Sequence, residues 1–183
     1  MNILKQIVPL YERFGRPILT NFQVEEVAGN HAYRAGVFTL ADTEGRVVMI
    51  RRKPQSDYPG LETYWWLPGG GHEPGEWVDE TAVREFREET GLEVQLERLL
   101  VAILGRSKDF FYFFFRGHVV GGGVSHESDP DHSIAEVRCF APAEIPVEAV
   151  WSDIDKILLV QAEFINYPVD DLLLKYDLQK QST

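Results

Sequence analysis

The segment from Gly70 to Leu92 constrains this chain more than any other, because it sets a glycine-rich loop directly before a helix with carboxylates on one face. Its positions are Gly70, then Glu76 after five residues, then after seven more Arg84, Glu85 and Phe86, followed by Glu88, Glu89, Gly91 and Leu92. From about Asp79 to Thr90 the run lacks Gly and Pro and is rich in Glu, Arg and Ala, which predicts a helix. Asp79 or Thr81 is the expected start, and Gly91 the natural C-cap. Glu85, Glu88 and Glu89 fall at i, i+3 and i+4 and share one face. Ala82, Val83 and Phe86 lie on another arc and anchor the helix to a core.

Three like charges on adjacent turns destabilise a bare helix by roughly a few tenths of a kcal/mol per pair. A cation removes that repulsion. Hard carboxylate oxygens suit Mg²⁺ or Mn²⁺, which keep several waters and share coordination with substrate phosphates. The preceding Leu67-Pro68-Gly69-Gly70-Gly71 supplies backbone freedom where amide and carbonyl groups must approach a metal or phosphate closely.

This pattern resembles the signature of the Nudix hydrolases. The resemblance implies an α/β/α sandwich with a mixed sheet and a metal-dependent hydrolysis of a pyrophosphate bond. It also implies that Glu88, Glu89 and the Gly70 carbonyl hold Mg²⁺ or Mn²⁺. Glu85 stands nearby as auxiliary ligand or candidate base, with an acidic residue from the 126–136 loop as the alternative base, and Glu76 pairs with Arg84 to fix loop against helix. Many members add an acidic ligand from a loop ahead of the strand that resembles Ile134 to Phe140, for which Glu127 and Glu136 are candidates. The family's glutamate and tryptophan there correspond to Ser133 and Cys139, so the extra ligand stays unassigned. Lys108 stands where many ADP-ribose hydrolases carry a proline, and Tyr112 lies beyond the tyrosine position of dinucleoside polyphosphate hydrolases. The expected substrate is therefore a class, a nucleoside diphosphate linked to another moiety, cleaved to a nucleoside monophosphate and a phosphorylated product. Two alternatives stay open: a nucleotide-sensing domain without turnover, and a hydrolase of a non-nucleotide diphosphate.

Outside the motif, Arg51, Arg52 and Lys53 end a predicted strand, with Arg51 and Lys53 on one side and Arg52 on the other. Arginine binds phosphate bidentately, which makes Arg51 and Arg52 candidate substrate contacts. Tyr64, Trp65 and Trp66 abut the glycine loop; Trp66 is the candidate to stack on a base, with core packing the competing role for one of the two tryptophans. Arg106 and Lys108, just before the next apolar run, are further candidate phosphate contacts. Phe110 to Phe115 reads as a strand buried on both faces. His126 and His132 flank the acidic segment Glu127 to Asp131 and read as ordinary loop histidines.

At 183 residues with 44% hydrophobic content, the chain can bury one sizeable core, and a single domain over 1–183 is expected. The net charge of -11 argues against a nucleic-acid polymer as partner and leaves a small nucleotide-type substrate. One cysteine, Cys139, excludes an intrachain disulfide and fits a reducing, cytoplasmic setting; its apolar surroundings read as core. Neither a signal peptide nor a membrane span is apparent. Residues 2–14 carry Leu4, Ile7, Tyr11 and Phe14 at helical spacing, a helix expected within 1–16. Strands are expected near 18–28, 33–41, 46–53, 93–104, 109–120 and 134–141, with a turn at Asp42 to Gly45. Helices near 152–164 and 169–176 would complete the layout over 152–177. The amphipathic first helix and these last ones make a homodimer the expected oligomer.

Overall fold

Alternating burial along two long strands sorts the apolar residues onto the two faces of one mixed sheet. The computed structural model describes residues 4–22, 27, 32–40 (36–40 by their backbone), 45–56, 59–105 and 110–150. In chain order the elements are α1 (Leu4–Phe14), β1 (Leu19–Thr20), β2 (Ala32–Leu40), β3 (Val47–Arg52), β4 (Trp65–Trp66), β5 (Gly69–Gly71), α2 (Val78–Thr90), β6 (Leu92–Leu104), β7 (Phe110–Gly122) and β8 (Ile134–Phe140). The sheet runs β1-β6-β7-β2-β3-β4, with β5 paired to β2 and β8 paired to β3. Strands β1 and β6 are parallel, as are β2 and β7, while β6 and β7 are antiparallel.

A fork in this sheet makes room for the motif. Among the described residues, strands β2 and β3 pair only where Leu40 meets Val47. Beyond that point β2 takes β5 as its partner, with Arg34 opposite Gly71, Ala35 opposite Gly70 and Gly36 opposite Gly69. Strand β3 instead takes β4, with Ile50 opposite Trp66, and β8 on its other edge. The segment from Trp65 to Gly71 is thus wedged between the arms of the fork. The far end of β3, carrying Arg51 and Arg52, is brought to the glycine loop.

On one face Phe111, Phe113 and Phe115 are fully buried against Ile7 and Leu10 of α1 and Val78, Ala82 and Phe86 of α2. The Phe14 ring meets Phe115 edge-on at 5.2 Å. Each such buried apolar side chain contributes about 1.5–3 kcal/mol relative to exposure. The opposite face gathers Val47, Met49, Leu100, Val101 and Ile103 beneath Trp65, Phe140, Ile145 and Val150. Both described α-helices therefore cover the same face. The helices expected at 152–164 and 169–176 lie outside the described residues, as does most of the turn at Asp42 to Gly45.

The architecture is the mixed α/β fold expected, with several local differences. Helix α2 starts at Val78, with Trp77 as its N-cap, rather than at Asp79 or Thr81. Both candidates are otherwise engaged: Asp79 pairs with Arg13 at 2.7 Å, and the Thr81 hydroxyl donates to the Glu76 carboxylate at 2.7 Å. Glu80 serves the helix start by accepting the Trp77 backbone N–H at 2.9 Å. Gly91 closes the helix in the left-handed region at φ 72°. The strand expected over 18–28 contains β1 at Leu19–Thr20, and residues 23–26 and 28 fall outside the described set. Phe110 is 40% exposed and Tyr112 and Phe114 are half-buried, so β7 is completely dry only on its helix-facing side, where two helices seal it. Cys139 is half-buried and packs against the helix-side core. No described helix is long and apolar enough to cross a membrane.

Candidate active site

The cleft lies where the fork, the second half of α2 and the loop before β8 converge, and Arg84 is its organiser. Its Nε–H and one Nη2–H donate to the two carboxylate oxygens of Glu76 at 2.8 and 3.0 Å. Nη1 donates to Glu85 at 3.0 Å and to Glu88 at 2.9 Å, and Nη2 also donates to the Gly71 carbonyl at 2.8 Å. A guanidinium has five N–H donors. All of them are occupied, and together they tie loop, helix and β5 into one unit.

Glu76 is equally committed. Besides Arg84 it accepts the Glu73 amide at 2.9 Å and the Thr81 hydroxyl. Burial works to raise its pKa, yet the Arg84, Glu73 and Thr81 hydrogen bonds outweigh it and hold the carboxyl below its ordinary range. In return, the hydrogen bond to Glu76 is the chief cause that raises Arg84. The Glu76 carbonyl accepts the Tyr33 hydroxyl and, at 3.4 Å, the side-chain amide of Gln6. Gln6 is fully buried, and its own carbonyl accepts the Val78 N–H at 3.2 Å, satisfying one of the free donors at the start of α2.

Glu89 occupies the deepest position, 4% exposed. One of its oxygens accepts Arg52 Nη2 at 2.9 Å and the other accepts the Gly69 amide at 2.7 Å. Burial nevertheless dominates and pushes its pKa up to about 8, against the opposing pull of Arg52 and the Gly69 amide. Glu85 is raised as well, first by burial, with Arg84 opposing. Gly70 leaves room for the Glu85 carboxylate where it stands, which a larger residue would turn aside. A Cβ on Gly70 would stand 2.3 Å from a Glu85 carboxylate oxygen. Among the described residues no three His, Cys, Asp or Glu side chains are set as a ready cation cage; Glu85 and Glu88 turn onto Arg84, and Glu89 turns onto Arg52.

The structure therefore brings together Gly70, Glu76, Arg84, Glu85, Glu88, Glu89 and Arg52. Arg51 leaves the cleft, donating to Glu136 at 2.5 Å with its guanidinium over Trp65. Trp65 is a core residue, edge-on to Phe140 at 4.7 Å. Trp66 sits beneath the Arg52 guanidinium, 5.8 Å from ring centroid to carbon, and does not line the cleft. Arg106 and Lys108 lie outside the described residues. Neither Glu127 nor Glu136 lines the cleft.

Among the residues lining the cleft, Arg34, Glu73, Asp129, Pro130 and Asp131 were not singled out individually from the sequence, although Asp129 and Asp131 belong to the acidic loop before β8. Asp129, 4% exposed, accepts the backbone amides of Asp131, Ser133 and Ile134 at 3.2, 2.5 and 2.9 Å, which folds the loop so that Asp131 faces the cleft. Ser133 accepts from Arg52 at 3.2 Å. The Asp-Pro-Asp composition of this loop was the available signal, since Asp side chains bind nearby backbone amides in turns. Arg34, alone in a strand pattern, offered none.

Comparison with known proteins bears on the family and the fold. A family model described as the NUDIX domain matches residues 30–161. The chain is 27% identical over 114 residues to the 8-oxo-dGDP phosphatase of Mus musculus, covering 62% of this chain and 35% of that protein. It is 34% identical over 87 residues to the RNA pyrophosphohydrolase of Sphingopyxis alaskensis, covering 48% of this chain and 49% of that protein. The chain thus spans about a third and about a half of these relatives' lengths. A solved NUDIX hydrolase from Nitrosomonas europaea shares the fold with a TM-score of 0.55 at 21% identity, over 77% of this chain and 95% of that one.

Proposed function

Because this chain belongs to the Nudix family, its domain spanning residues 30–161, we propose that it hydrolyses a pyrophosphate bond in a nucleoside diphosphate linked to another moiety, with Mg²⁺ or Mn²⁺ as cofactor. The observation that carries the reading is the convergence of Glu85, Glu88 and Glu89 on the Gly69-Gly70-Gly71 backbone, organised by Arg84. The names of the Mus musculus and Sphingopyxis alaskensis relatives both specify nucleotide chemistry, which supports a nucleotide over an isoprenoid substrate.

The residues fit a hard divalent cation. They offer oxygen donors alone, at a site where burial raises Glu85 and Glu89 despite two arginines, and a glycine admits the Glu85 carboxylate against the main chain. Glu88, Glu89 and the Gly70 carbonyl would hold the ion, with Glu85 beside them. When bound, it supplies charge neutralisation for the pyrophosphate oxygens and a lower pKa for an attacking water.

The chain's own residues do the rest. Water oxygen bonds to one phosphorus, the P–O bond to the bridging oxygen breaks, and that oxygen leaves with the second phosphate. Glu85 takes the proton released by the water. Arg84 holds Glu85 and Glu88 at fixed separation from β5, and Arg52 orients Glu89. Products are a nucleoside monophosphate and a phosphorylated partner.

The test is incubation of the purified chain with nucleoside triphosphates, ADP-ribose, sugar nucleotides, dinucleoside polyphosphates and isoprenoid diphosphates, with Mg²⁺ or with chelator. Products are followed by mass. Mg²⁺-dependent cleavage of one nucleotide at a phosphoanhydride bond is expected. Tight nucleotide binding with no turnover across the panel would replace the hydrolase with a sensing domain.

A further inference from the structure

We propose that Arg34 is the phosphate-reading side chain of this cleft, gripping the substrate phosphate that lies away from the Glu85, Glu88 and Glu89 carboxylates. The proposal rests on the hydrolase reading above. Its premise is an inventory of cations. Arg34, Arg52 and Arg84 are the basic residues among those that line the cleft. Arg84 has every N–H committed to Glu76, Glu85, Glu88 and the Gly71 carbonyl. Arg52 is committed to Glu89 and Ser133. Arg34 is exposed and, among the described residues, makes no side-chain hydrogen bond or ion pair.

Its position is rigid even though its side chain is unengaged. Strand β2 is held on one edge by β7, where Arg34 stands opposite Tyr112, and on the other by β5, where it stands opposite Gly71. The flanking Tyr33 and Ala35 are buried in the helix-side core. The next register pair is Ala35 with Gly70, so Arg34 is rooted one residue from the glycine whose carbonyl is a candidate metal ligand.

Chemistry supplies the ligand class. A pyrophosphate diester or monoester carries two or more negative charges over two phosphorus centres, and a divalent cation shared with three carboxylates cannot cancel the charge of both phosphates. The other phosphate must be neutralised within a chain of net charge -11. A planar guanidinium free of carboxylates matches two phosphate oxygens at once, which an ammonium does as a single point charge. An arginine at the mouth of an acidic cleft also offsets the repulsion met by an approaching anion.

The test compares the parent chain with Arg34→Gln and Arg34→Lys, each checked for unchanged circular dichroism and melting temperature. Calorimetry measures inorganic pyrophosphate binding in the presence of Mg²⁺, Mn²⁺ affinity is measured separately, and steady-state kinetics use whichever panel substrate is cleaved. For Arg34→Gln, a tenfold or greater weakening of pyrophosphate binding and a matching rise in KM are expected, with kcat within about threefold and Mn²⁺ affinity unchanged. Arg34→Lys falls between the two. Pyrophosphate binding and KM within twofold of the parent in Arg34→Gln would overturn the proposal while leaving the hydrolase reading intact. If the parent cleaves nothing, pyrophosphate binding alone decides: loss of binding in Arg34→Gln upholds the role of Arg34 on a non-hydrolysing site, and absence of binding by the parent overturns it.

Discussion

Glu89 and Arg52 form a nearly buried ion pair, Oε1 to Nη2 at 2.9 Å, that joins the last turn of α2 to the last residue of β3. The second carboxylate oxygen takes the Gly69 amide at 2.7 Å, so one side chain spans helix, strand and glycine loop. Glu89→Gln keeps the shape and removes the charge. Turnover is expected to fall by a factor on the order of 10² or more, with the far-ultraviolet circular dichroism unchanged. Near-normal kcat in that folded variant would remove Glu89 from the site.

Arg84→Lys tests whether the fork itself matters. A lysine has three donors on one nitrogen and cannot span both oxygens of Glu76 while reaching Glu85, Glu88 and Gly71. Loss of the paired charge-assisted hydrogen bonds should lower stability by about 2 kcal/mol and slow turnover at least tenfold. Chemical denaturation of the metal-free variant gives the first number, and kinetics the second; a lysine that preserves both would mean that charge alone suffices.

Gln6 carries an analogous prediction for stability. Gln6→Leu leaves the Val78 N–H without its buried acceptor and takes one donor from the Glu76 carbonyl, which retains Tyr33. An unsatisfied buried donor costs about 1–3 kcal/mol. Urea unfolding should show a midpoint shift of that size, and an unchanged midpoint would show that water or a shifted backbone serves the helix start.

Acid–base behaviour follows from the two raised carboxyls. Glu89 moves from an ordinary 4.5 to about 8 because of burial, and Glu85 moves in the same direction for the same first cause. A carboxyl raised on folding binds its proton more tightly in the native state. Its contribution is full below about pH 4.5 and is lost as pH climbs towards about 8. With chelator present, the melting temperature should therefore fall across that window, whereas excess Mn²⁺ should oppose the fall by favouring the ionised carboxylates. Proton release on Mn²⁺ binding near neutral pH, measured in buffers of different ionisation enthalpy, checks the same linkage; a pH-independent affinity would contradict it.

What the sequence determined unaided is local in origin. Helix α2 follows from residues of high helical propensity between Gly75 and Gly91, and the shared face of Glu85, Glu88 and Glu89 follows from 3.6 residues per turn. The Glu76–Arg84 pair came with the family resemblance, at a separation of eight residues. Tertiary structure decided everything that depends on which strand adjoins which. The split of β2 from β3 after Leu40 and Val47 brings Arg52 to Glu89 across 37 positions and sends Arg51, its neighbour, to Glu136. Alternation put those two arginines on opposite sides, but only the pairing with β4, β5 and β8 says which side is the cleft. Arg34 was illegible for the same reason, and the Asp-Pro-Asp turn signalled how the Asp129 loop folds but not that it borders the cleft. A residue's nearness to a distant helix is set by the sheet's register and by which buried groups must find partners, and neither is encoded in its immediate neighbours along the chain.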